Sequence, residues 1–464
     1  MKFLLLNVHA NRGLNPHAKK TKRVAVSQPL GILYIAAMLE DNNHIVEVID
    51  YQAEDYSKNK LYSYLSGVDG VGISVDSFSS KKAEEIAYTI KQFDKEIPII
   101  IGGPHCNFYP KKSLDDIPSA DISTEGESEF AIINIVNALE NGLSFTKIPG
   151  IHFREKNEIK KGKPPEIIHN LDLIPFPSRH LIEKYEYGIY NNKYLCKPKF
   201  TSIMTSRGCV FNCRFCNRQI TGMKVYRERS IDNIIEEFIS INDEYNSVMI
   251  VDDNFLLKKN RIHKILDKII ENKIDFEITI QGARVDTADL ELYKKMKKAG
   301  VVTLNFGLES GNQDVLDFYN KKITLDQIRN AVKLSKKMGF ETNGNFILGA
   351  PIETEKHINK TIKFVCSLPL DIASFTILKY TYHSDLWNEA FKEKKLTIDD
   401  GYSVPADSKK GLGNFKYEEL ENYIQKASKK FYYRPRFFSR QLLNIMKKRN
   451  LTTLRKLIYT KSIA

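Results

Sequence analysis

The feature that most restricts the fold of this 464-residue chain is a regular alternation of β-branched runs with segments whose apolar residues recur at helical spacing. Such alternation is typical of βαβ units, whose strands form a parallel sheet. The first series predicts strands at residues 3–8, 45–50, 71–75, 97–101 and 120–123, and helices at 30–40, 82–93 and 129–140. We therefore predict an N-terminal, doubly wound, Rossmann-like parallel sheet, in which ligands bind beyond the carboxyl ends of the strands.

A second series of the same kind begins near residue 201. It predicts strands at residues 201–205, 247–251, 276–280, 301–306, 341–347 and 372–378, and helices at 231–245, 261–271, 289–299, 324–338 and 357–367. Six strands with helical crossovers of this size predict a partial (β/α)6 TIM-like barrel. Repeated prolines between the two series, at residues 141–200, predict that this stretch forms no long helix. The predicted α/β organisation is thus a first domain at 1–140, a linker at 141–200, a barrel at 201–385 and a helical basic segment at 386–464.

Composition excludes several classes of protein. With 42% hydrophobic and 27% charged residues the chain has the make-up of a globular protein, and its six cysteines are too scattered for a disulfide framework. No apolar run approaches the roughly 20 residues that cross a bilayer, so we expect neither a membrane span nor a signal peptide. The expected location is cytoplasmic.

The net charge of +13 is concentrated at the end of the chain. Residues 426–464 hold twelve Lys or Arg and no Asp or Glu, so the first 425 residues carry 13 − 12 = +1. This basic tail, which is also aromatic, is compatible with a packed C-terminal helix or with contact to an anionic membrane surface. We expect no nucleic-acid partner, because the sequence contains no recognisable nucleic-acid-binding fold.

A cysteine motif directly after the first barrel strand indicates the chemistry. Cys209, Cys213 and Cys216 have the spacing C-x3-C-x2-C. Three thiolates around a [4Fe-4S] cluster leave one iron open to another ligand. A zinc site would usually need a fourth Cys or His nearby, and the nearest one downstream is His263. The motif therefore favours an iron–sulfur cluster.

In this motif the chain resembles the radical S-adenosylmethionine (SAM) superfamily, whose signature loop follows the first strand of a partial barrel. The open iron of the cluster would bind the amino and carboxylate groups of SAM. The resemblance also implies SAM contacts at the strand ends: Phe215 beside adenine, Asp252 or Asp253 for the amine, Arg284 for the carboxylate, Glu309 for the ribose, and the backbone of Gly349 and Ala350 against adenine.

The segments QPLGILYIAAMLE, GGPHCNFYP, TEGESEF and LDLIPFPSR resemble the subgroup with an N-terminal cobalamin-binding domain. The resemblance implies that the strand-end loops of the first domain hold the corrin, with hydroxyls or close backbone approach from Ser74, Ser77, Ser79, Gly102, Gly103, Gly126 and Glu127, and with His105 near its edge. The chain departs from the D-x-H-x-x-G pattern of other cobalamin domains, because His9 has no matching Asp. We therefore expect no histidine ligand to cobalt.

The resemblance implies a cobalamin-dependent radical SAM methyltransferase. Reduced cluster would cleave SAM to a 5′-deoxyadenosyl radical, which removes hydrogen from an unactivated carbon that methylcobalamin then methylates. Radical cyclisation or rearrangement without net methylation remains an alternative, as does a non-enzymatic cobalamin or iron–sulfur sensor. Methylthiotransferases need a second cluster, for which residues 1–208 offer only Cys106 and Cys196.

The expected partners are an external electron donor and a small-molecule or lipid-like substrate. Residues on or after the last barrel strands are candidates to line the substrate pocket: Asn343, Asn345, Tyr380, Tyr382 and His383. A lipid-like substrate would agree with membrane association through the basic tail.

Overall fold

The fold is described from a computed structural model. It describes residues 1–8, 26–156, 158–190, 193–217, 225–435 and 437. His9 lies outside these residues, as do position 436 and residues 438–464 of the basic tail. The chain forms two compact units, the first made mainly by residues 1–192 and the second by 193–219 and 223–464.

In its described residues the first unit contains a seven-stranded sheet and six α-helices. Its strands are β1 (Lys2–Val8), β2 (Ile45–Asp50), β3 (Gly70–Val75), β4 (Ile99–Gly102), β5 (Ile122–Thr124), β6 (Ile151–Glu155), β7 (Glu158–Lys161) and the short β8 (Ile189–Tyr190). Its helices are α1 (Leu30–Asp41), α2 (Lys58–Leu65), α3 (Ser80–Phe93), α4 (Pro104–Phe108), α5 (Lys112–Asp116) and α6 (Glu129–Asn141). The strand order is β2-β1-β3-β4-β5-β6-β7.

Strands β1 to β5 are parallel, as predicted. Strand β1, which lies between β2 and β3, carries three consecutive leucines, Leu4 to Leu6, each at most 2% exposed. Such an unbroken apolar run is typical of a parallel strand that is covered on both faces. The order 2-1-3-4-5 places a topological switch point between β1 and β3, where doubly wound sheets bind ligands.

The stretch predicted as a linker contributes to this sheet. Strands β6 and β7 pair antiparallel, and β6 pairs antiparallel with β5. The sequence reading missed them because both are short and lie among charged residues and prolines. It also missed α2, whose sequence KNKLYSYL buries only Leu61 and Leu65.

The second unit is built on six parallel strands in sequential order, β10-β13-β14-β15-β16-β17. All its strands are β9 (Lys193–Tyr194), β10 (Phe200–Ile203), β11 (Ser206–Arg207), β12 (Arg227–Glu228), β13 (Ser247–Ile250), β14 (Glu277–Ala283), β15 (Val301–Glu309), β16 (Glu341–Leu348), β17 (Ile372–Ile377), β18 (Lys379–Thr381) and β19 (Ser403–Pro405). Its helices are α7 (Ile231–Ser240), α8 (Lys259–Glu271), α9 (Leu290–Lys298), α10 (Gln313–Phe318), α11 (Leu325–Lys337), α12 (Glu355–Ser367), α13 (Asp385–Lys392) and α14 (Tyr417–Tyr432).

The sequential order, with a helix after nearly every strand, is that of a partial (β/α)6 barrel. The predicted fold class, a Rossmann-like sheet followed by a TIM-like barrel, is therefore confirmed. Alternate residues of each strand, such as Ile280, Phe306 and Phe346, pack beneath the helices into one apolar core. The opposite face of the strands is polar.

The segment after residue 385 is mainly helical, as predicted, but it also contains β19, which pairs antiparallel with β18. Phe431, Tyr432 and Phe437 are at most 5% exposed in the barrel core. Arg434 donates hydrogen bonds to the carbonyls of Val365 and Cys366. The described part of the tail is thus a packed segment. None of the helices that the structure describes is both long and apolar enough for a bilayer span.

Candidate active site

The three motif cysteines lie in a loop that follows β10 and the short strand β11. Cys209 is buried, Cys213 and Cys216 are half-buried, and all three are free thiols. A hydrogen bond from the Cys216 amide to the Cys213 carbonyl, 3.0 Å long, closes a tight turn between the last two. The loop therefore gathers the three thiols within eight residues.

The end of α10 holds this loop in place. The amide of Arg214 donates to the Tyr319 carbonyl at 3.0 Å, and Asn320 Nδ2 donates to the Asn212 carbonyl at 2.8 Å. The Arg214 guanidinium lies 4.3 Å from the centre of the Phe318 ring and pairs with Glu389 of α13. Backbone and side-chain contacts from two helices thus position the loop.

Asp252 secures the start of the cysteine loop. It is 3% exposed, and its carboxylate accepts from the Thr205 amide and hydroxyl, both at 2.6 Å, and from the Ser206 hydroxyl at 2.5 Å. Burial raises the pKa of Asp252, and these hydrogen bonds oppose that effect. Both carboxylate oxygens of Asp252 are therefore committed to the protein.

Arg284 is buried at the end of β14. Its guanidinium forms two-pronged contacts with Asp286, the shortest at 2.8 Å, and lies 3.5 Å from the centre of the Phe211 ring. It also donates to the Lys321 carbonyl at 3.1 Å. The Phe211 ring and the Asp286 carboxylate together fix the orientation of the planar guanidinium group. Phe211 belongs to the cysteine loop, so Arg284 joins that loop to β14.

Glu309, at the end of β15, forms an ion pair with Lys321 in which Oε1 and Nζ are 2.7 Å apart. The two side chains are 8% and 11% exposed. A Cβ on Gly307 would stand 2.6 Å from that carboxylate oxygen, so a glycine is needed there to leave room for the pair. The charges of this pair, like that of Arg284, influence the pKa of the Cys213 thiol.

Burial is the largest influence on the Cys213 thiol and raises its pKa, while Lys321 and Arg284 lower it. Cys216 is also near enough to act on it. The structure therefore brings together four of the residues expected to serve the cluster and SAM: Cys213, Cys216, Arg284 and Glu309.

Three free thiols in one loop, with no competing carboxylate ligand in it, fit the donor chemistry of a cluster that keeps one iron open. Within the described ranges, no three His, Cys, Asp or Glu side chains converge closely enough to hold a metal ion. The fit of this loop to a [4Fe-4S] cluster therefore rests on its three thiols and on the cations Lys321 and Arg284, which act on Cys213.

The turn after β16 is built around a buried carboxyl group. The amides of Gly349 and Ala350 donate to Glu353 Oε2 at 2.7 and 2.9 Å. Burial raises the pKa of Glu353 to about 7. Gly349 has φ of 103°, and a Cβ there would meet Leu420 of α14 at 2.8 Å. The turn that we expect to lie against adenine is thus stabilised by hydrogen bonds to Glu353, and it packs on α14.

Phe215 packs edge-on against Tyr319, with ring centres 5.2 Å apart. Tyr319 is fully buried, and its hydroxyl is without a hydrogen-bond partner among the described residues. The ring of Phe215 is therefore anchored on the helix end that also holds the cysteine loop. Tyr380, a pocket candidate, is buried, whereas Tyr382 and His383 contact each other with ring centres 4.0 Å apart.

In the first unit, the candidate cobalamin residues lie at the ends of neighbouring strands. Ser74 on β3 is paired in register with Gly102 on β4. A Cβ on Gly102 would come within 2.7 Å of the Thr124 hydroxyl, and one on Gly103, where φ is 100°, within 3.0 Å of the Val75 carbonyl. Glycine is thus required at both positions by the strand ends themselves.

A chain of polar contacts joins two of these loops. The hydroxyl of Ser77 lies 3.1 Å from His105 Nδ1, and His105 Nε2 lies 3.1 Å from Asp116 Oδ2. His105 is 3% exposed, and burial lowers its pKa, so the ring is neutral near pH 7. Ser79 is also buried, and its hydroxyl contacts the Asp76 backbone.

The loop after β5 is held by hydrogen bonds to Asn107 and Ile168, which lie in other parts of the first unit. The Gly126 amide, where φ is 85°, donates to Asn107 Oδ1 at 2.6 Å. Glu127 Oε2 accepts from the Ile168 amide at 2.8 Å. Glu127 therefore has a structural partner in the stretch predicted as a linker.

Sequence reasoning missed four contributors to these sites: Lys321, Glu353, Tyr319 and Asp116. Lys321, Tyr319 and Asp116 follow the candidates at distances that no short motif covers, and they act through tertiary contact. Glu353 offered a local signal, because an acid four residues after Gly349 can cap the turn.

Comparisons with known proteins give two family matches. The "Radical SAM superfamily" model matches residues 203–365, and the "B12 binding domain" model matches residues 19–134. The first range begins at the end of β10 and contains the barrel strands β13 to β16, and the second contains β2 to β5 of the parallel sheet of the first unit.

Two methyltransferases are similar along most of their length. An uncharacterized methyltransferase of Pyrococcus horikoshii is 32% identical over 443 residues, covering 94% of this chain and 93% of the relative. The cytidylyl-2-hydroxyethylphosphonate methyltransferase of Streptomyces wedmorensis is 29% identical over 372 residues, with 70% and 69% coverage. The anaerobic magnesium-protoporphyrin IX monomethyl ester cyclase of Rubrivivax gelatinosus is 26% identical, with 78% and 66% coverage.

Among solved structures, the radical SAM methyltransferase TsrM of Kitasatospora setae, with tryptophan substrate and a SAM analogue bound, has a TM-score of 0.69. The match covers 86% of this chain and 77% of TsrM at 17% sequence identity. At that identity the similarity establishes a shared fold.

Proposed function

The chain belongs to the radical SAM superfamily, in the cobalamin-dependent methyltransferase group with a B12-binding domain, and from this premise we propose that it methylates an unactivated carbon of a small molecule. Its cofactors are a [4Fe-4S] cluster, SAM and cobalamin. The observation that carries the proposal is the end-to-end similarity to the Pyrococcus methyltransferase, which spans both the B12-binding and the radical SAM regions.

When bound, the cluster supplies an electron that cleaves SAM, and cobalamin supplies the methyl group. Cys209, Cys213 and Cys216 would hold the cluster. Their loop is kept in place by the hydrogen bonds of Asp252 to Thr205 and Ser206. Because those bonds occupy Asp252, we assign the contact with the SAM amine to Asp253.

The remaining SAM contacts are proposed for groups already fixed in position. Arg284, stacked on Phe211, would face the SAM carboxylate, and Glu309, held by Lys321, would accept from the ribose hydroxyls. Phe215 and the turn at Gly349 would bound the adenine. Groups held by neighbours lose little conformational entropy when they bind a ligand.

For cobalamin we propose the strand-end surface of residues 1–140, with residues 201–385 assigned to the cluster and SAM. Ser74, Ser77 and His105 would offer hydrogen bonds to the corrin side chains. Gly102, Gly103, Gly126 and Glu127 would shape the surface. Support comes from the position of β3 beside the topological switch point.

The leading alternative is radical cyclisation or rearrangement without net methyl transfer, which the cyclase relative keeps open. Incubating reconstituted enzyme with methyl-labelled SAM and a substrate-containing extract separates the two reactions. Methyl transfer predicts labelled product together with 5′-deoxyadenosine. Product without label would contradict methyl transfer, and absence of deoxyadenosine would contradict radical SAM chemistry.

The cluster assignment is tested by Cys213→Ala, with Cys366→Ala, outside the motif, as the matched control. We expect the first variant to lose the cluster and all SAM cleavage, because two thiolates do not anchor a cubane, and the second to retain both. Iron and sulfide analysis with the visible absorption spectrum measures cluster content. A full cluster in the Cys213 variant would show that the loop is not its site.

The substrate is a small molecule, and an external electron donor is required. A further proposal, contact with an anionic membrane, has its support in the basic sequence of residues 438–464, which holds seven Lys or Arg and no acid. Phe431, Tyr432 and Phe437 do not support it, because they are packed in the core.

A further inference from the structure

The barrel sheet has a polar face opposite its helices. Side chains alternate between the two faces of a strand, and the buried set of β14 to β17 packs into the apolar core. The other set is half-buried or exposed. Besides Glu277, Glu341, Gly307 and the apolar Ile347 and Ile372, it includes eight uncharged polar residues, which we call the polar face: Thr279, Gln281, Thr303, Asn305, Asn343, Asn345, Ser374 and Thr376.

Strand register brings these residues into lateral contact. Thr279 is level with Thr303, Asn305 with Asn343, and Asn345 with Ser374. Four of the eight are carboxamides, on three adjacent strands. A group in front of this surface therefore meets amide donors and acceptors side by side.

The carboxamides are only partly satisfied by the protein. Asn343 Nδ2 donates to Asn305 Oδ1 at 2.8 Å, but the Asn343 Oδ1 atom is buried and finds no partner in the described part of the chain. Gln281 Nε2 donates to the sulfur of Met249 at 3.4 Å, which is a weak acceptor. A buried amide oxygen without a hydrogen bond is unfavourable. Asn343 Oδ1 therefore favours an occupant of the polar face that donates a hydrogen bond.

The polar face is deeper than the groups proposed for SAM. Glu309 ends β15, and Asn305 lies four residues earlier, roughly 13 Å along the strand at 3.3 Å per residue. The charged residues of these strands stand at the two ends, with Glu277 and Glu341 at the start and the Glu309–Lys321 pair at the finish. The middle, where the carboxamides lie, carries no charge.

We propose that the polar face binds a neutral, hydrogen-bonding part of the substrate, such as hydroxyls, a carboxamide or the edge of a nitrogen heterocycle. A hydrocarbon chain in this place would leave the carboxamides unpaired. A phosphate or carboxylate would meet no cation among the described residues of the four strands that form this face. The inference rests on the proposed function, to which it adds the class of substrate.

The test uses reconstituted holoenzyme, reductant, methyl-labelled SAM and an extract of the source organism divided into aqueous and chloroform phases. We expect labelled product from the aqueous phase. Asn343→Leu removes the amide at similar volume, and Asn343→Asp keeps the shape but adds a negative charge. Both should lower labelled product about tenfold or more, as expected for a lost hydrogen bond in a dry site.

The matched control is Asn260→Leu, the same substitution at an exposed position in the first turn of α8, which should keep wild-type product formation. Circular dichroism and the fluorescence of Trp387, the single tryptophan, confirm folding of each variant. If Asn343→Leu does not fold, the isosteric Asn343→Asp carries the test.

The outcomes separate this inference from the proposed function. Label only in a chloroform-phase product would overturn the inference and leave methyl transfer intact. An aqueous product made equally well by both Asn343 variants would also overturn it. Deoxyadenosine without labelled product in either phase would overturn methyl transfer and the inference together.

Discussion

Glu309 has a backbone conformation that L-residues seldom adopt, with φ of 59° at the end of β15. The strand pairing with β16 is irregular between Gly307 and Glu309. Such conformations persist where surrounding contacts compensate for their cost. Here the compensation is the buried pair with Lys321, and the result is a carboxylate fixed beside Cys213.

Replacing Lys321 with Met should therefore lower the free energy of unfolding of the barrel unit strongly, by about 3–5 kcal/mol, because it leaves a buried carboxylate unpaired. The double variant Lys321→Met with Glu309→Gln should lose clearly less. Urea unfolding followed by Trp387 fluorescence reports on this unit, where the tryptophan is buried. Equal losses in the single and double variants would show that the pair is not energetically coupled.

Glu353 gives a second prediction at the scale of a residue. Its pKa is raised from 4.5 to about 7 by burial, so the folded chain binds a proton that the unfolded chain has released between these values. Its contribution to stability is complete below about pH 4.5 and is lost as pH rises through 7. The barrel should thus be less stable at pH 8 than at pH 5 by on the order of 1–3 kcal/mol from this group.

The Glu353→Gln variant isolates that contribution, because glutamine does not titrate. Its thermal midpoint should fall less between pH 5 and pH 8 than that of the wild-type protein. Glu341→Gln, a substitution at a half-buried position on the polar side of β16, serves as a control that should keep the wild-type dependence. Identical pH profiles for the Glu353 variant and wild type would contradict the raised pKa.

At the scale of the elements, Asp252 connects β10, β13 and the cysteine loop. Its carboxylate accepts three hydrogen bonds from Thr205 and Ser206. Arg261 of α8 reinforces the junction by donating to the Thr205 carbonyl at 2.9 Å. Two strand ends and a helix thus define where the loop begins. If the three cysteines are the ligands of the cluster, cluster binding depends on this junction.

We expect Asp252→Asn to reduce cluster content severalfold in the reconstituted protein, because an amide nitrogen cannot accept the hydrogen bonds that the carboxylate accepts. Asp253→Asn should instead keep the cluster and weaken SAM binding. Iron content and equilibrium SAM binding measure the two effects separately. The reverse pattern, with cluster loss only in the Asp253 variant, would contradict the division of roles between these neighbours.

At the scale of the molecule, the basic tail divides at residue 437. Phe431, Tyr432 and Phe437 complete the core of the second unit, and the Tyr432 hydroxyl donates to the Ala373 carbonyl at 2.9 Å. Residues 438–464 account for seven of the positive charges, so a chain ending at 437 has a net charge of 13 − 7 = +6. The two parts of the tail are thus separable by truncation.

A chain ending at Gln425 should lose thermal stability, because truncation removes three buried aromatic side chains, each worth several kcal/mol. A chain ending at Phe437 keeps these three side chains, so the difference in midpoint between the two truncations measures their contribution. For the same reason the Phe437 truncation is the partner for liposome co-sedimentation with anionic vesicles at low and high salt. Equal sedimentation of the full and Phe437-truncated chains would exclude residues 438–464 as a membrane contact.

Much of the architecture follows from local sequence. Strand and helix positions agree with the structure to within a few residues in both parallel series, because the apolar period differs between the two kinds of element. The elements that the periodicity did not predict include α2, α4, α5, α10, β6 and β7, and each has eight residues or fewer. The same holds for β19, which exists only as a pair with β18.

The sequence by itself indicated the iron–sulfur chemistry. The three cysteines are so close along the chain that a single loop is enough to bring them together as ligands. Tertiary structure alone decided which side chains serve that loop. Lys321 reaches Glu309, Asp252 reaches Thr205, and Asn343 meets Asn305 only because the strands pair in a particular register. Sequence periodicity assigns a residue to a face of a strand, whereas its partner on the next strand depends on register, which long-range packing sets.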